Sequence, residues 1–362
     1  MKKPWLLILS CVILIAAILT GCSGPSATTP PATTAAAPSA TPSATPSATV
    51  SSGSGETFNI RIGGGLPPGH PTSATILRWK DKVESATDGR VKVTFYEAGT
   101  IGKSQELYDL ALNGVVEAVH TAEFWTGGRF PLVEGVNSLP FTYASMDQLE
   151  AVDQALYDRG LLKELDPFKF LYFTPAAKMA IFNKNKIATL EDFSGQKLRA
   201  SGINVKVVEL LGATAVTIPG EEEYMAIERG VLTGNVTGAD NVLSRKLYEV
   251  MKYGCRTEIS MGEFVFIMNK NFWDKLPPDI QAVIDNVNKE ERAAHLAAQN
   301  QAIDDAWQQL EAHMEIYSLT PEEADRWKAK VSPLIDEWVK SMKDKGFPAD
   351  EIMEVVAEYT SK

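Results

Sequence analysis

The chain has 362 residues, 44% hydrophobic and 22% charged, which is a globular composition and enough length for one large domain or two medium ones. Its formal net charge is −11 and it has no block of basic residues, which argues against nucleic-acid binding through a basic surface. Three cysteines cannot build a disulfide framework, and the four histidines lack metal-ligand spacing.

The N-terminus has the pattern of a secretory leader. A short basic start, MKK, precedes an almost continuous apolar run over residues 5–19, which is shorter than the roughly 20 residues that a membrane span requires. The run ends in LTGC, which resembles a bacterial lipobox, where cleavage precedes a cysteine that carries diacylglycerol. We predict a signal peptide over residues 1–21 and lipidation of Cys22. An uncleaved anchor is the alternative, and both place the body of the protein outside the cytoplasm.

A tether is predicted to follow the lipidated cysteine, over residues 22–56. Residues 23–55 contain only Ser, Ala, Thr, Pro, Gly and one Val, with repeats such as PSATPSATPSAT. Such a segment cannot bury apolar surface and is expected to be disordered and partly polyproline-like. At about 3.1 Å per residue when extended, it would hold a domain up to about 100 Å from a bilayer.

The body alternates between the two hydrophobic periodicities. FNIRIGG and RVKVTFYEAG predict strands, whereas TSATILRWKDKVESATDG and SQELYDLALNGVVEAVH predict helices. KFLYF, QKLRAS, ATAVTIP and EFVFIMN predict further strands, and the chain from Pro278 onward is predicted to be almost wholly helical, with Thr320 and Glu323 as a capping box. This order predicts an α/β fold with helices covering the sheet.

Two segments resemble nucleotide-binding motifs but do not match their required spacing or residues. GTIGKS lacks the spacing of a phosphate-binding loop because Glu97 stands where the first glycine is needed, and the prolines in GGGLPPG prevent a helix from starting there. Neither a G-x-S-x-G elbow nor an H-E-x-x-H helix occurs. Cys255 has no histidine nearby in sequence, so a buried structural thiol is the better interpretation than a nucleophile. The four histidines are interpreted as surface or structural residues. We predict no enzyme and no cofactor.

From Phe58 to about Asn288 the chain resembles the DctP-type solute-binding proteins of tripartite ATP-independent periplasmic (TRAP) transporters. The resemblance rests on five stretches in the family's order: GRVKVTFYEAGTIGKSQELYDLALNGVVEA, VNSLPFTYASMDQ, LEDFSGQKLRASGINVKVVELLGATAVTIPGEEEYMAIERGVLTG, RKLYEVMKY and FVFIMNKNFWDKLP. No single stretch is diagnostic, but their order over some 230 residues is specific.

The resemblance implies a two-lobed periplasmic-binding-protein fold, class II-like, with crossing hinge strands and a ligand in the cleft between the lobes. It implies lobe I over residues 57–177 and 264–303, and lobe II over residues 178–263 and 304–362. It also implies a long helix spanning both lobes. Residues 279–315 fit that helix, with two helices joined by a turn as the alternative.

Arg199 is the main candidate for ligand binding. In the family that this chain resembles, the arginine of the Lys-x-Arg stretch pairs with the carboxylate of the bound acid. A planar guanidinium holds a carboxylate through two parallel hydrogen bonds and stays charged when water is excluded. A surface arginine at a strand end is the alternative.

The other candidates follow from family positions at which this chain departs from the pattern. Lys178 lies two residues from the place where sialic-acid binders carry a second arginine. Thr237 stands at the ligand-facing asparagine position and offers a hydroxyl instead. Trp125 and Phe264 lie where members line the cleft, although core packing is equally compatible with each. These departures predict a small organic acid with an apolar or aromatic body.

The resemblance therefore implies a lipid-anchored, extracytoplasmic binding protein that captures a carboxylate and delivers it to the small and large membrane subunits of a TRAP transporter. A surface sensor that presents ligand with the same fold is the alternative. An extracellular hydrolase lacks a nucleophile–base pair in the sequence. Whether a metal bridges the ligand stays open.

Overall fold

The computed structural model describes residues 56–361, so the predicted leader, the Cys22 lipid site and nearly all of the predicted tether lie outside the described residues. The strands within that range are β1 (Phe58–Gly64), β2 (Val91–Tyr96), β3 (Ala118–Ala122), β4 (Phe168–Asn183), β5 (Lys197–Arg199), β6 (Thr214–Val216), β7 (Gly234–Thr237), β8 (Tyr253–Asn269) and β9 (Glu315–Tyr317). The α-helices in the same range are α1 (Pro71–Ala86), α2 (Leu107–Leu112), α3 (Val133–Asn137), α4 (Met146–Asp158), α5 (Asn204–Leu211), α6 (Glu223–Glu228), α7 (Ala239–Ser244), α8 (Lys270–Trp273), α9 (Pro278–Leu310), α10 (Pro321–Val331), α11 (Pro333–Asp344) and α12 (Ala349–Thr360).

The strands join one mixed sheet in the order β2-β1-β3-β8-β4-β7-β5-β6, with β9 beside β8. Strands β2, β1 and β3 are parallel to one another, as are β7, β5 and β6. Parallel strands need their faces covered, and separate apolar clusters lie under the helices of each group. The mixed α/β architecture predicted from the sequence is confirmed.

Strands β4 and β8 connect the two parallel groups. They pair antiparallel with each other along most of their 16 and 17 residues. Their outer partners change midway: β3 pairs with the second half of β8, whereas β7 pairs with the second half of β4. The register is irregular between Pro175 and Ala177, close to this change. These are the crossing strands that the two-lobed fold requires; the lobe boundaries themselves stay a prediction.

Helix α9 runs unbroken through 33 residues and packs against both α1 and α7. The predicted spanning helix is therefore present, although it ends at Leu310 and a short strand, β9, follows. His295 Nε2 donates to the carbonyl of Pro175 at 2.8 Å, and Gln299 Nε2 donates to that of Ala176 at 2.5 Å. The helix thus satisfies backbone carbonyls of β4 where the register is irregular.

Two local predictions need correction. Helix α2 ends at Leu112, and residues 118–122 form β3 instead of continuing the helix toward His120. Thr320 does cap α10, since its Oγ1 accepts a hydrogen bond from Glu323 N at 3.3 Å. Glu323, however, accepts from Leu190 N at 2.7 Å and does not close a capping box. Cys255 is fully buried, as predicted.

Gly234 at the start of β7 is predicted to tolerate no side chain. A Cβ there would lie 2.1 Å from the carbonyl oxygen of Phe182 on β4, which is backbone and cannot rotate away. We expect Gly234→Ala to lower the free energy of unfolding by about 2–3 kcal/mol in urea titrations. Gly230→Ala is the control, because that position has open space and should cost only about 1 kcal/mol for its positive φ. A smaller loss at Gly234 than at Gly230 would contradict this packing.

Among residues 56–361, the structure contains no helix long and apolar enough to cross a membrane.

Candidate functional site

A cavity of about 590 Å³, counted with its opening to solvent, lies beside the middle of β4 and β8. Its walls come from the segments that follow the carboxyl ends of β1 and β3 on one side and of β5 and β7 on the other. Open α/β sheets bind ligands at the carboxyl ends of their strands. Position alone therefore makes this cavity the candidate binding site.

Arg199 is the last residue of β5 and is only 5% exposed. Its Nε donates to the carbonyl of Ile218 at 3.1 Å, which orients the guanidinium along the cavity wall. In the described part of the chain no carboxylate pairs with it. A buried cation without a partner anion is costly. Arg199 therefore stays the main candidate for contact with an anionic group.

Arg245 brings a second guanidinium to the same wall. It follows α7, its Nε donates to Asn241 Oδ1 at 2.8 Å, and its Nη2 donates to the carbonyl of Gly65 at 3.4 Å. It packs against Gly220, where an added Cβ would come within 3.1 Å of Nη2. Since Arg199 binds the carbonyl of Ile218, both arginines flank the same short segment.

The electrostatics of Arg245 indicate that the two guanidinium groups affect each other. Burial lowers the pKa of Arg245 from its usual value, the carboxylate of Glu223 opposes that change, and the positive charge of Arg199 adds to it. Glu223 is itself buried and accepts a hydrogen bond from Asn235. It does not form an ion pair with either arginine within the range that the structure describes. A ligand carboxylate between the two guanidinium groups would relieve their repulsion.

An aromatic wall is built by Trp125, Phe264 and Phe124. The rings of Trp125 and Phe264 meet edge to face with centroids 4.9 Å apart, and Phe124 stands 6.3 Å from Phe264 in a similar orientation. Leu66 and Ala176 pack with them. Aromatic rings prefer such edge-to-face contacts, and the cluster gives this side of the cavity an apolar surface.

Four of the five ligand-binding residues predicted from the sequence line this cavity, namely Arg199, Thr237, Trp125 and Phe264. Thr237 Oγ1 accepts a hydrogen bond from Asn241 Nδ2 at 2.8 Å. Lys178 does not line it. Its Nζ pairs with Glu258 at 2.7 Å beside a smaller, separate pocket, because the side chain projects from the other face of β4. We remove Lys178 from the candidate set.

Sequence reasoning missed Arg245 and Asn241 and interpreted His70 as a surface or structural histidine, yet all three line the cavity. No motif spacing marks Arg245, because Gly65 and Gly220, which it approaches, are far from it in the chain. His70 gives one usable signal. It stands directly before Pro71 at the start of α1, beside the glycine-rich loop that follows β1. No group of three or more His, Cys, Asp or Glu residues able to hold a metal ion occurs among residues 56–361.

Replacing Arg245 should weaken carboxylate binding by about tenfold or more, because a charge-assisted hydrogen bond contributes about 1.5–3 kcal/mol. If both arginines hold one carboxylate, the variants Arg199→Lys and Arg245→Lys should be non-additive. Calorimetric dissociation constants for both single variants and the double variant would measure a coupling of at least about 0.5 kcal/mol. Additive losses would show that the two arginines act on separate groups.

Two lobes with crossing strands, a helix spanning both and a central cavity lined by Arg199 and Arg245 are the features of a solute-binding protein of the periplasmic type. The chain belongs to the DctP family, described as bacterial extracellular solute-binding protein, family 7, whose profile matches residues 62–341. It is an extracytoplasmic solute-binding protein by that membership.

Similar proteins agree with this assignment. The C4-dicarboxylate-binding periplasmic protein DctP of Rhodobacter capsulatus is 25% identical over 299 residues, covering 78% of this chain and 86% of that protein. A TRAP solute-binding protein from a marine metagenome, specific for aromatic acid ligands and solved with metahydroxyphenylacetate, is 28% identical with a TM-score of 0.78. A TRAP solute-binding protein from Rhodoferax ferrireducens, solved with copurified benzoate, is 26% identical with a TM-score of 0.79. Each alignment to these structures covers 84% of this chain and 98% of the other.

Proposed function

We propose that this protein binds an aromatic monocarboxylate and delivers it to the membrane subunits of a TRAP transporter. The observation that carries the proposal is one cavity that combines three aromatic rings with two arginines, neither of which pairs with a carboxylate of residues 56–361. The arginines would hold the carboxylate, and Trp125 and Phe264 would pack against the ring. Family membership alone would support an organic acid without specifying its body.

The ligands of two similar structures support the aromatic assignment. The marine protein is specific for aromatic acid ligands and the Rhodoferax protein retained benzoate through purification. A C4-dicarboxylate is the second candidate, because the two arginines could instead hold two carboxylates, and the Rhodobacter relative binds such acids. The aromatic wall favours the first candidate, since a short dicarboxylate leaves those rings uncovered.

The surrounding assignments form part of the same proposal. Lipidation at Cys22 and the tether over residues 22–56 would keep the protein at the membrane, and the small and large TRAP subunits would receive the ligand. The protein would perform no chemistry, its work being capture, closure and release between lobes divided near residues 177 and 263. A sensor that presents the same ligand to a receptor is the alternative, and genes for the two membrane subunits beside this one would favour transport.

A thermal-shift panel of aromatic monocarboxylates, aliphatic monocarboxylates and C4-dicarboxylates tests the ligand class on the full chain. A ligand at 100 times its dissociation constant adds about 2.7 kcal/mol of stability, which corresponds to several degrees for a chain of this size. We expect shifts with benzoate-like acids and smaller ones with succinate. Shifts confined to C4-dicarboxylates would favour the second candidate, and no shift with any carboxylate would contradict the proposal.

A further inference from the structure

A narrow polar gap lies in the cavity wall between His70 and Asp240. The two residues come from different parts of the fold: His70 precedes α1, and Asp240 lies in α7. His70 Nε2 and Asp240 Oδ2 are 3.8 Å apart, and each residue is only 3% exposed. That separation is too long for a direct hydrogen bond. Both atoms can still contact one shared oxygen that lies to the side of the line joining them, about 2.8 Å from each.

A backbone N–H at the start of α1 determines which ring nitrogen of His70 carries the proton. His70 Nδ1 accepts a hydrogen bond from Thr72 N at 3.1 Å, so in the neutral ring the proton is on Nε2. Burial, helped by the charge of Arg245, lowers the pKa of His70 to about 3, so the ring is neutral throughout the physiological range. His70 therefore offers one N–H donor to the cavity.

The acceptor side is a carboxylate whose protein partners leave capacity free. Asp240 Oδ1 accepts from Asn241 N at 2.8 Å, and Oδ2 accepts from Gln299 Nε2 at 3.0 Å. Within residues 56–361 neither a lysine nor an arginine pairs with it. Each carboxylate oxygen accepts about two hydrogen bonds, so Oδ2 can take one more. Burial raises the pKa of Asp240 to about 6, which leaves it mostly ionised at pH 7.5.

We propose that the ligand carries a ring hydroxyl that approaches both side chains from the cavity, accepting a hydrogen bond from His70 Nε2 and donating one to Asp240 Oδ2. This inference rests on the proposed binding of an aromatic carboxylate, whose acid group the arginines hold. A hydroxyl has both the donor and the acceptor that the gap requires. A second carboxylate is disfavoured there, because it would face the Asp240 carboxylate. An unsubstituted ring leaves the gap to water or leaves its polar atoms unpaired.

Hydroxyl recognition makes a quantitative prediction about preference. A site built to bond a hydroxyl discriminates strongly against the analogue that lacks it. We expect at least one of 2-, 3- and 4-hydroxybenzoate to bind at least tenfold more tightly than benzoate when all four are titrated calorimetrically into the full chain. The measured quantity is the ratio of the benzoate dissociation constant to that of the tightest isomer.

Variants of His70 and Asp240 test whether these two residues cause the preference for a hydroxylated acid. Asp240→Asn removes the charged acceptor, and His70→Asn keeps an acceptor for Thr72 N while withdrawing Nε2, so in each variant the ratio should fall below about threefold. Arg199→Lys is the contrast: it should weaken all four acids and keep the ratio, because it alters the carboxylate end only. The two asparagine variants change different ends of the gap, so the inference stays testable if one of them folds poorly.

The outcomes separate this inference from the function on which it rests. The hydroxyl assignment is overturned, and the proposed function stands, if benzoate binds and no hydroxybenzoate isomer binds more tightly than benzoate. The same conclusion follows if both asparagine variants keep the wild-type ratio of dissociation constants. If neither benzoate nor any hydroxybenzoate binds the wild-type chain, the proposed function fails and this inference fails with it. A preference that falls in both variants and persists in Arg199→Lys supports the assignment.

Discussion

Arg199→Ala is expected to weaken carboxylate binding at least a hundredfold. Arg199 is buried at the end of β5, and its Nε is held by the Ile218 carbonyl. Deleting one partner of a buried, hydrogen-bonded ion pair costs about 3–5 kcal/mol, and each 1.4 kcal/mol is a factor of ten in the dissociation constant. Isothermal titration of the tightest acid from the panel would measure the loss.

Two further variants separate the effect of the bidentate guanidinium geometry from the effect of its charge. Arg199→Lys keeps a positive charge but loses the bidentate geometry, so its loss should be intermediate. Arg229→Ala removes an exposed arginine at the end of α6 and should leave affinity unchanged. Normal binding by Arg199→Ala, with its melting temperature unchanged, would show that the carboxylate is held elsewhere.

Behind the aromatic wall lies an unusual group of buried acids, and it should make stability depend on pH. Glu123, Asp153 and Glu263 are all fully buried. Glu263 Oε2 accepts from Asn137 Nδ2 at 3.0 Å, and Glu123 Oε1 accepts from Glu263 N at 3.1 Å. Burial raises the pKa of Asp153 to about 7 and raises those of Glu123 and Glu263 well above their usual range.

The raised pKa values determine whether stability increases or decreases with pH. Each acid binds its proton more tightly in the folded state, so its stabilising contribution is complete below the unfolded pKa of about 4. That contribution is lost as pH rises through the folded pKa, which for Asp153 is about 7. We therefore expect the free energy of unfolding to fall between about pH 4 and pH 8, apart from other titrating groups.

Glu263→Gln is expected to raise the stability at pH 8 by roughly 2 kcal/mol, because a neutral amide replaces a buried acid and can still bond Asn137. The same change should have little effect at pH 4, because Glu263 is then protonated and neutral. Urea unfolding at both pH values would measure the difference, with the exposed Glu228→Gln as control. Equal effects at the two pH values, or destabilisation at pH 8, would contradict the assignment.

The sequence alone predicts the α/β class, since strands such as FNIRIGG alternate clearly and helix α1 has helical spacing. It misassigns residues 118–122 because β3 is buried on both faces and therefore lacks alternation. Short runs of apolar residues do not distinguish such a strand from the continuation of a helix. The strand is recognised only once its neighbours β1 and β8 are known.

The candidate site likewise contains residues that the sequence predicts and residues that it does not. Arg199 is found because it lies inside a stretch that resembles a family signature. Arg245 and the His70–Asp240 gap are not found, because they exist only where segments distant in sequence meet at the cavity. The position of Lys178 rests on a count along the strand, but β4 has register irregularities between Pro175 and Ala177 and between Met179 and Ile181, so such a count does not fix which face the side chain takes.

The most direct test of carboxylate binding by the two arginines is a crystal structure of the full chain with the tightest acid from the panel. We predict the ligand carboxylate between the guanidinium groups of Arg199 and Arg245, with its ring against Trp125 and Phe264. An acid bound with its carboxylate away from both arginines, or in a different cavity, would contradict the central claim.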